Sequence, residues 1–445
     1  MTIDRRTMIA AAAAMAATPA MGAARRAAGA GAGAISPNFP AQFLWGASTA
    51  GHQIEGNNVN SDNWFLENIQ PTVYREPSRD SANSFALWEQ DMELAASIGL
   101  NCYRFSIEWA RIEPEDGLFS TAMMDHYKRM IAGCHARNLR PIVTFNHFTA
   151  PRWFAARGGW TNADAPALFA RYCDRAARHM ADGIAYAITF NEPNILRLLR
   201  VMGMPQQVWD AQRAMLTEAA RRSGTAKFSA LNASNFEDID GMQANLLRGH
   251  RAGKAAIKAA RPSLPTGLSL AMFDDQAVGR NSVRDAKRTE LYGGWLEAAR
   301  EDDFMGVQNY ERKVWNDRTS LPAPAGATVN YSGAEVYAPS LANAVQYAHS
   351  QTRVPILISE HGVGTTDDRI RAALIPDALG HLKRMMDTQS VPVIGYCHWS
   401  LIDNFEWIFG YGPKFGLASY DPVTFARTPK PSAAIYGRIA MRNAL

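Results

Sequence analysis

Along this chain, short apolar runs rich in β-branched and aromatic residues alternate with longer amphipathic stretches. The short runs are FLWGAST (43–49), NCYRFSI (101–107), RPIVTFN (140–146), AYAITFNE (185–192), TGLSLAMF (266–273), DFMGVQNY (303–310), PILISEHG (355–362) and VIGYCHWS (393–400). Their length and composition predict buried strands. Most intervals hold one helical pattern. In 80–99, Phe85, Trp88, Met92, Leu94 and Ala95 fall near one face; in 166–182, Leu168, Tyr172, Ala176 and Met180 do the same. Strands separated by helices predict βαβ units and a parallel sheet. Eight such units closing on themselves predict an α/β chain built as a single (β/α)8 TIM barrel. The interval 193–265 is longer than the rest. It contains a Met/Gln-rich piece (MGMPQQVWDAQ) and a polar piece (SALNASNFEDIDG); an interval this long at the C-terminal face predicts a functional segment or a lid, with a surface embellishment as the alternative.

Composition changes this picture only at the N-terminus. Arg5-Arg6 precede a weakly apolar, Ala-rich stretch and then small residues. That order predicts a twin-arginine export signal with leader over residues 1–34, and a barrel domain over 35–445. The corresponding localisation is periplasmic or secreted. The formal net charge is +4. Arg5, Arg6, Arg25, Arg26 and Asp4 belong to the leader, so the remaining chain is close to neutral. Such a balance gives no footprint for nucleic acid and points to a small-molecule partner. No later stretch reaches the roughly 18 apolar residues of a membrane span. Cys102, Cys134, Cys173 and Cys397 have no metal-ligand spacing; they read as core residues without disulfides, and neither metal nor cofactor is expected.

The chemistry concentrates at the strand ends. Asn146, His147, Asn191, Glu192, Tyr310, Glu360 and Trp399 all lie there, where a barrel of this kind carries its active site. Glu192 ends the fourth predicted strand and Glu360 the seventh, on opposite sides of the barrel mouth. Two carboxyl groups about 5–5.5 Å apart are what retaining glycoside cleavage requires, one protonating the leaving oxygen and one attacking the anomeric carbon. The attacker must be ionised, for which Arg104 is the candidate cation and Tyr310 the candidate hydroxyl donor. The acid must stay protonated, which proximity to the other carboxylate favours. Asn191 is placed to hold a sugar hydroxyl.

These residues stand in stretches that resemble a known family. FLWGASTAGHQIEG, YRFSIEWARIEPEDG, TFNEPN, ISEHG and HWSLIDNFEW…KFG resemble glycoside hydrolase family 1, the β-glucosidase family, over roughly residues 40–440. The resemblance implies Glu192 as acid/base, Glu360 as nucleophile and Tyr310 as the residue holding it. It further implies Gln53, His147 and Asn191 as sugar-hydroxyl contacts, Trp399 as the platform under the ring, and Glu406 and Trp407 as readers of the distal hydroxyls. An indole under a pyranose face, with charged and amide groups around its belt, is sound carbohydrate chemistry. Glu406 would repel a 6-phosphate, and thioglucosidase-like members lack a carboxylate at the position of Glu192. A non-phosphorylated β-O-glycoside is therefore expected, with β-glucosidase as the default.

The chain departs from the family pattern at several positions. His361 follows the nucleophile in place of Asn, Phe148 follows His147 in place of Trp, and Gln308-Asn309 stand in place of Asn-Tyr before Tyr310. His52 stands where an aromatic is usual before Gln53, and 195–245 is unlike the family. These departures are expected around the sugar pocket or on its aglycone side. The alternatives are therefore transglycosylation, another sugar (galactose, fucose, mannose or xylose), or a non-catalytic sugar-binding barrel.

Overall fold

The computed structural model describes residues 37–445, so the leader expected over 1–34 lies outside the described residues. Eight parallel strands close into a barrel. They are β1 (Leu44–Ser48), β2 (Cys102–Ser106), β3 (Arg140–Asn146), β4 (Tyr186–Asn191), β5 (Thr266–Ala271), β6 (Met305–Asn309), β7 (Ile356–His361) and β8 (Val393–Trp399). The ring closes where β1 pairs with β8, from Leu44 opposite Gly395 to Ser48 opposite Trp399. A long helix lies between each strand and the next, and one after the last: α1 (Ser84–Ile98), α2 (Thr121–Ala136), α3 (Ala165–Met180), α4 (Ile239–Ala260), α5 (Arg284–Ala299), α6 (Ser340–Thr352), α7 (Asp368–Gln389) and α8 (Pro431–Arg442), with a further one, Gln206–Ser223, inserted before α4. The predicted strands and the two predicted helical patterns therefore coincide with observed elements.

Alternation along the strands sorts side chains into two layers. Leu44, Cys102, Ile142, Ile188, Phe304, Leu357 and Cys397 form one apolar cluster inside the barrel. Their neighbours Trp45, Tyr103, Val143, Ala187, Ile358 and Tyr396 belong to the larger cluster shared with the helices. All four cysteines are buried free thiols. Gly46 lets the inner layer close, because a Cβ there would lie 2.4 Å from Cys102 Sγ and 3.1 Å from Cys397 Sγ.

Towards the strand C-termini the inner layer turns polar, and the pairing register slips. Irregularities fall between Ile188 and Asn191 on β4, and between Val307 and Gln308 on β6, where Gln308 pairs with Glu360 rather than Ser359. A bulge of this kind re-aims a side chain next to an active site. Here it directs Glu360 inward and His361 outward. His361 Nδ1 meets Tyr396 Oη at 2.9 Å, and Tyr396 packs on Tyr436 of α8. The expectation that His361 borders the sugar pocket is corrected: it faces the helical layer.

The interval 193–265 is mostly helical: Ile195–Val201, then Gln206–Ser223, then α4. Gln206–Ser223 buries Met215, Leu216, Ala219 and Ala220 against Leu66, Ile69, Tyr74, Phe228 and Phe405, a second apolar cluster beside the barrel. Phe405 ties this insertion to the segment carrying Glu406 and Trp407.

Candidate active site

Glu360 is 4% exposed, and both of its oxygens are engaged. Arg104 Nη1 donates to Oε1 at 2.6 Å, and Tyr310 Oη donates to Oε2 at 2.6 Å. Arg104 is fully buried, and the rest of its guanidinium is also directed. Nε donates to Thr144 Oγ1 at 3.1 Å, Nη1 also to the Ser359 carbonyl at 3.2 Å, and Nη2 to Asn191 Oδ1 at 2.5 Å. A charge so fixed acts without reorganisation when the reaction needs it. Burial raises the Glu360 carboxyl, while Arg104 and the Tyr310 hydroxyl oppose that rise.

Glu192 lies one residue beyond β4 and is half-buried. Its backbone N–H donates to the Ser269 carbonyl at 2.8 Å, which ties the end of β4 to β5. Its φ is 43°, in the left-handed region. Phe148 (φ 69°) and Trp407 (φ 52°) share that rare conformation around the same pocket. Each costs on the order of 1–3 kcal/mol, and such strain gathers at functional sites. Among the described residues no ion pair to Glu192 forms. Burial first, and then the neighbouring charge of Glu360, push its carboxyl well above the usual range, with Arg104 a weaker opposing influence. Both carboxyls are raised by burial, but only Glu360 has a bound cation and a hydroxyl donor favouring its charged form, which is the asymmetry that an acid/base division requires.

Asn191 fixes the next group. Its Oδ1 accepts from Arg104 and from Gln308 Nε2 at 2.6 Å, so its Nδ2 faces His147 Nε2 at 3.2 Å. His147 then carries its proton on Nδ1, which is buried without a protein partner. Burial and the nearby Arg104 hold this imidazole well below its ordinary range, as a neutral donor. Gln53 Nε2 donates to the Phe405 carbonyl at 2.7 Å, and its buried Oε1 has no protein partner. Trp399 Nε1 donates to Glu406 Oε1 at 3.4 Å. The Asn404 amide, oriented to satisfy its neighbours, donates to that same oxygen at 2.7 Å. Burial raises the Glu406 carboxyl, which Trp399 opposes. The rings of His147 and Trp399 lie 5.6 Å apart and 18° from parallel, and Phe148 meets Trp407 edge-on at 5.2 Å. Arg104, Tyr310, Glu360, Asn191 and His147 thus form one bonded network, joined to Trp399 and Glu406 by the His147–Trp399 ring contact, with Glu192 close enough for Glu360 to act on its carboxyl.

The family model described as glycosyl hydrolase family 1 matches residues 35–213 and 300–445. The chain belongs to glycosyl hydrolase family 1. It is similar to a β-glucosidase of Agrobacterium sp., 28% identical over 91% of this chain and 96% of that one. It is 26% identical to a cytosolic β-glucosidase of Homo sapiens, over 92% of this chain and 99% of that one. Among solved structures, an apo β-glucosidase is 38% identical with a TM-score of 0.87, covering 91% of this chain and 99% of the other. A β-glycosidase is 42% identical with a TM-score of 0.85, over 92% and 98%.

For this family 1 hydrolase, the unmatched stretch spans the end of Gln206–Ser223, α4, β5 and α5. The departures from the family pattern separate into two kinds. Gln308, Phe148 and His52 touch pocket residues. Asn309 does not: it serves the loop backbone through Met272 and Glu311 carbonyls and accepts from Ser340. Sequence reasoning missed Gln308 as the second donor to Asn191. It also missed an aromatic path from Tyr310 to solvent through Phe415, Tyr331 and Phe409, with ring centroids 5.7–5.8 Å apart. Tyr331 lies in an irregular segment between β6 and α6 with no periodicity, so only its aromaticity was visible.

Proposed function

We propose that this family 1 glycoside hydrolase is a retaining β-glycosidase for non-phosphorylated β-O-glycosides, a β-glucosidase by default. Glu360 attacks the anomeric carbon while Glu192 gives its proton to the leaving oxygen, breaking the glycosidic bond. Water then enters with Glu192 as base, and the glycosyl–Glu360 ester is cleaved with retention. The observation that carries this reading is the asymmetry of the two carboxyls. Glu360 is clamped by a buried arginine and a tyrosine hydroxyl, whereas Glu192 is raised by burial and by Glu360 itself. Tyr310 and Arg104 hold the nucleophile ionised, and Asn191 sits between Arg104 and the sugar. Gln53, His147, Glu406 and Trp407 read the hydroxyl belt, with Trp399 beneath the ring. A carboxylate at Glu406 disfavours a phosphorylated sugar. The names of the curated relatives support glucose. A panel of chromogenic aryl β-glycosides tests the reading: turnover of the glucoside is expected, abolished in Glu360→Gln, and no turnover on any member would overturn it.

The N-terminal sequence supports export. We infer a periplasmic or secreted enzyme carried by the twin-arginine leader over residues 1–34. Among the described residues no helix is long and apolar enough to cross a membrane. Fusion of residues 1–34 to a reporter should give export that requires the twin-arginine system; export by the general secretory route alone would refute it.

A further inference from the structure

His52 lies on the short helix after β1, beside Gln53, and is 1% exposed. Its ring is stacked on the indole of Trp407, with centroids 5.5 Å apart and planes 7° from parallel, and it meets Phe405 edge-on at 6.0 Å. Among the described residues no other ring lies so nearly parallel to Trp407; His147 lies at 6.4 Å and 13°. Behind His52 is a buried carboxylate group. Asn58 Nδ2 faces Nδ1 at 3.4 Å and also donates to Glu108 Oε2 at 2.7 Å. With a donor at Nδ1, the imidazole proton of the neutral form sits on Nε2, 3.7 Å from Glu67 Oε2. Both Nε2 and that oxygen lack a closer partner. The other Glu67 oxygen accepts from Ser78 Oγ at 2.5 Å, and Glu67 is 4% exposed.

We propose that His52 is a positioning residue for Trp407, holding the indole by a ring stack that tightens when Glu67 and its neighbours stabilise the imidazolium, so that sugar binding gains a pH dependence of its own. A neutral imidazole on an indole offers ordinary aromatic stacking. A cation within about 6 Å of the centroid adds attraction from the indole face. The titratable groups facing His52 are Glu67 and Asp62, from the helix Asp62–Glu67, and Glu108, from the segment after β2; burial pushes the Asp62 carboxyl up to about 7, so its charge is itself lost as pH falls through that value. All three are acidic. Burial lowers the imidazole's proton affinity, but Glu67, Glu108 and Asp62 outweigh it, and the net direction is up. Below this raised value the stack is cationic and KM is low; above it the cation is lost and KM rises.

The inference rests on the reading that Trp407 contacts the sugar. The test is KM and kcat for the best aryl β-glycoside of the panel against pH, in the wild type, His52→Phe, Glu67→Gln and Trp407→Ala. Glu406 titrates in all four proteins, so the His52 contribution is the difference between their profiles. In the wild type KM should rise about two- to fivefold through this step with kcat unmoved by it. His52→Phe keeps a ring but should lose the step. Glu67→Gln, which leaves the imidazole in place, should move it to lower pH. A step that persists unchanged in both variants, or one that appears in kcat alone, would overturn the inference. If Trp407→Ala leaves KM unchanged at every pH, the contact between Trp407 and sugar fails instead. If it raises KM while His52→Phe retains the step, only the role of His52 fails.

Discussion

Tyr310 contributes one of the two donors that keep Glu360 charged, so its hydroxyl is a test of that charge. Tyr310→Phe removes a hydrogen bond to a charged group, of about 1.5–3 kcal/mol, and kcat/KM should fall by roughly ten- to 150-fold. The hydroxyl works against the burial that raises Glu360. Without it the carboxyl rises further, and the acid limb of the kcat/KM profile moves to higher pH. An unchanged acid limb would mean that Tyr310 does not act on the nucleophile. Glu192→Gln should cut kcat by about 10²–10⁴-fold for a poor leaving group, and far less for an activated phenol that departs without a proton. Equal losses on both substrates would contradict the acid role. At this scale the sequence disclosed the carboxylates, Arg104 and Tyr310, because strand ends are where barrel chemistry sits. It did not disclose which way His361 points. That depends on the bulge at Ser359, which a plain alternation of residues does not reveal.

Strands were legible because each is a short apolar run bounded by polar or turn residues, and because both faces of a barrel strand are buried. The helical insertion Gln206–Ser223 was not read as such. Its apolar residues are few, and they match a local patch from Leu66, Ile69, Tyr74 and Phe228 rather than the main core. Between α1 and α2 the fit depends on Gly133, where an added Cβ would lie 2.2 Å from the Trp88 ring. Alanine would gain up to about 1 kcal/mol in helix propensity, but overpacking a rigid indole costs about 1–3 kcal/mol. Gly133→Ala should therefore lower the urea midpoint without altering KM; a raised midpoint would show that α1 and α2 yield freely. The segment carrying Tyr331 belongs to the same scale. Tyr331 is 46% exposed and stacks edge-on between Phe409 and Phe415. Tyr331→Ala should raise KM for glycosides with large planar aglycones several-fold more than for methyl glycosides, at about the 0.5–1.5 kcal/mol of one aromatic contact. Equal effects on both would place Tyr331 away from the aglycone.

The barrel as a whole joins what the chain keeps apart. Glu192 and Glu360 belong to strands on different sides of the ring, and Arg104, from a third strand, reaches Glu360 and Asn191 together. Gln53 and Trp407 come from opposite ends of the sequence, and Gln53 holds the carbonyl of Phe405, two residues before Trp407. This convergence was foreseeable once eight strands were recognised. The pairing of imidazole with indole at His52 was not, since nothing in the residue order places Glu67 behind it. The central claim is that Glu360 forms the bond to the sugar. A slow 2-fluoro aryl β-glycoside should leave one glycosyl mass on the protein, and digestion should place it on the peptide carrying Glu360, with none on Glu360→Gln. A label on another peptide, or turnover of that substrate with no label at any stage, would contradict the account.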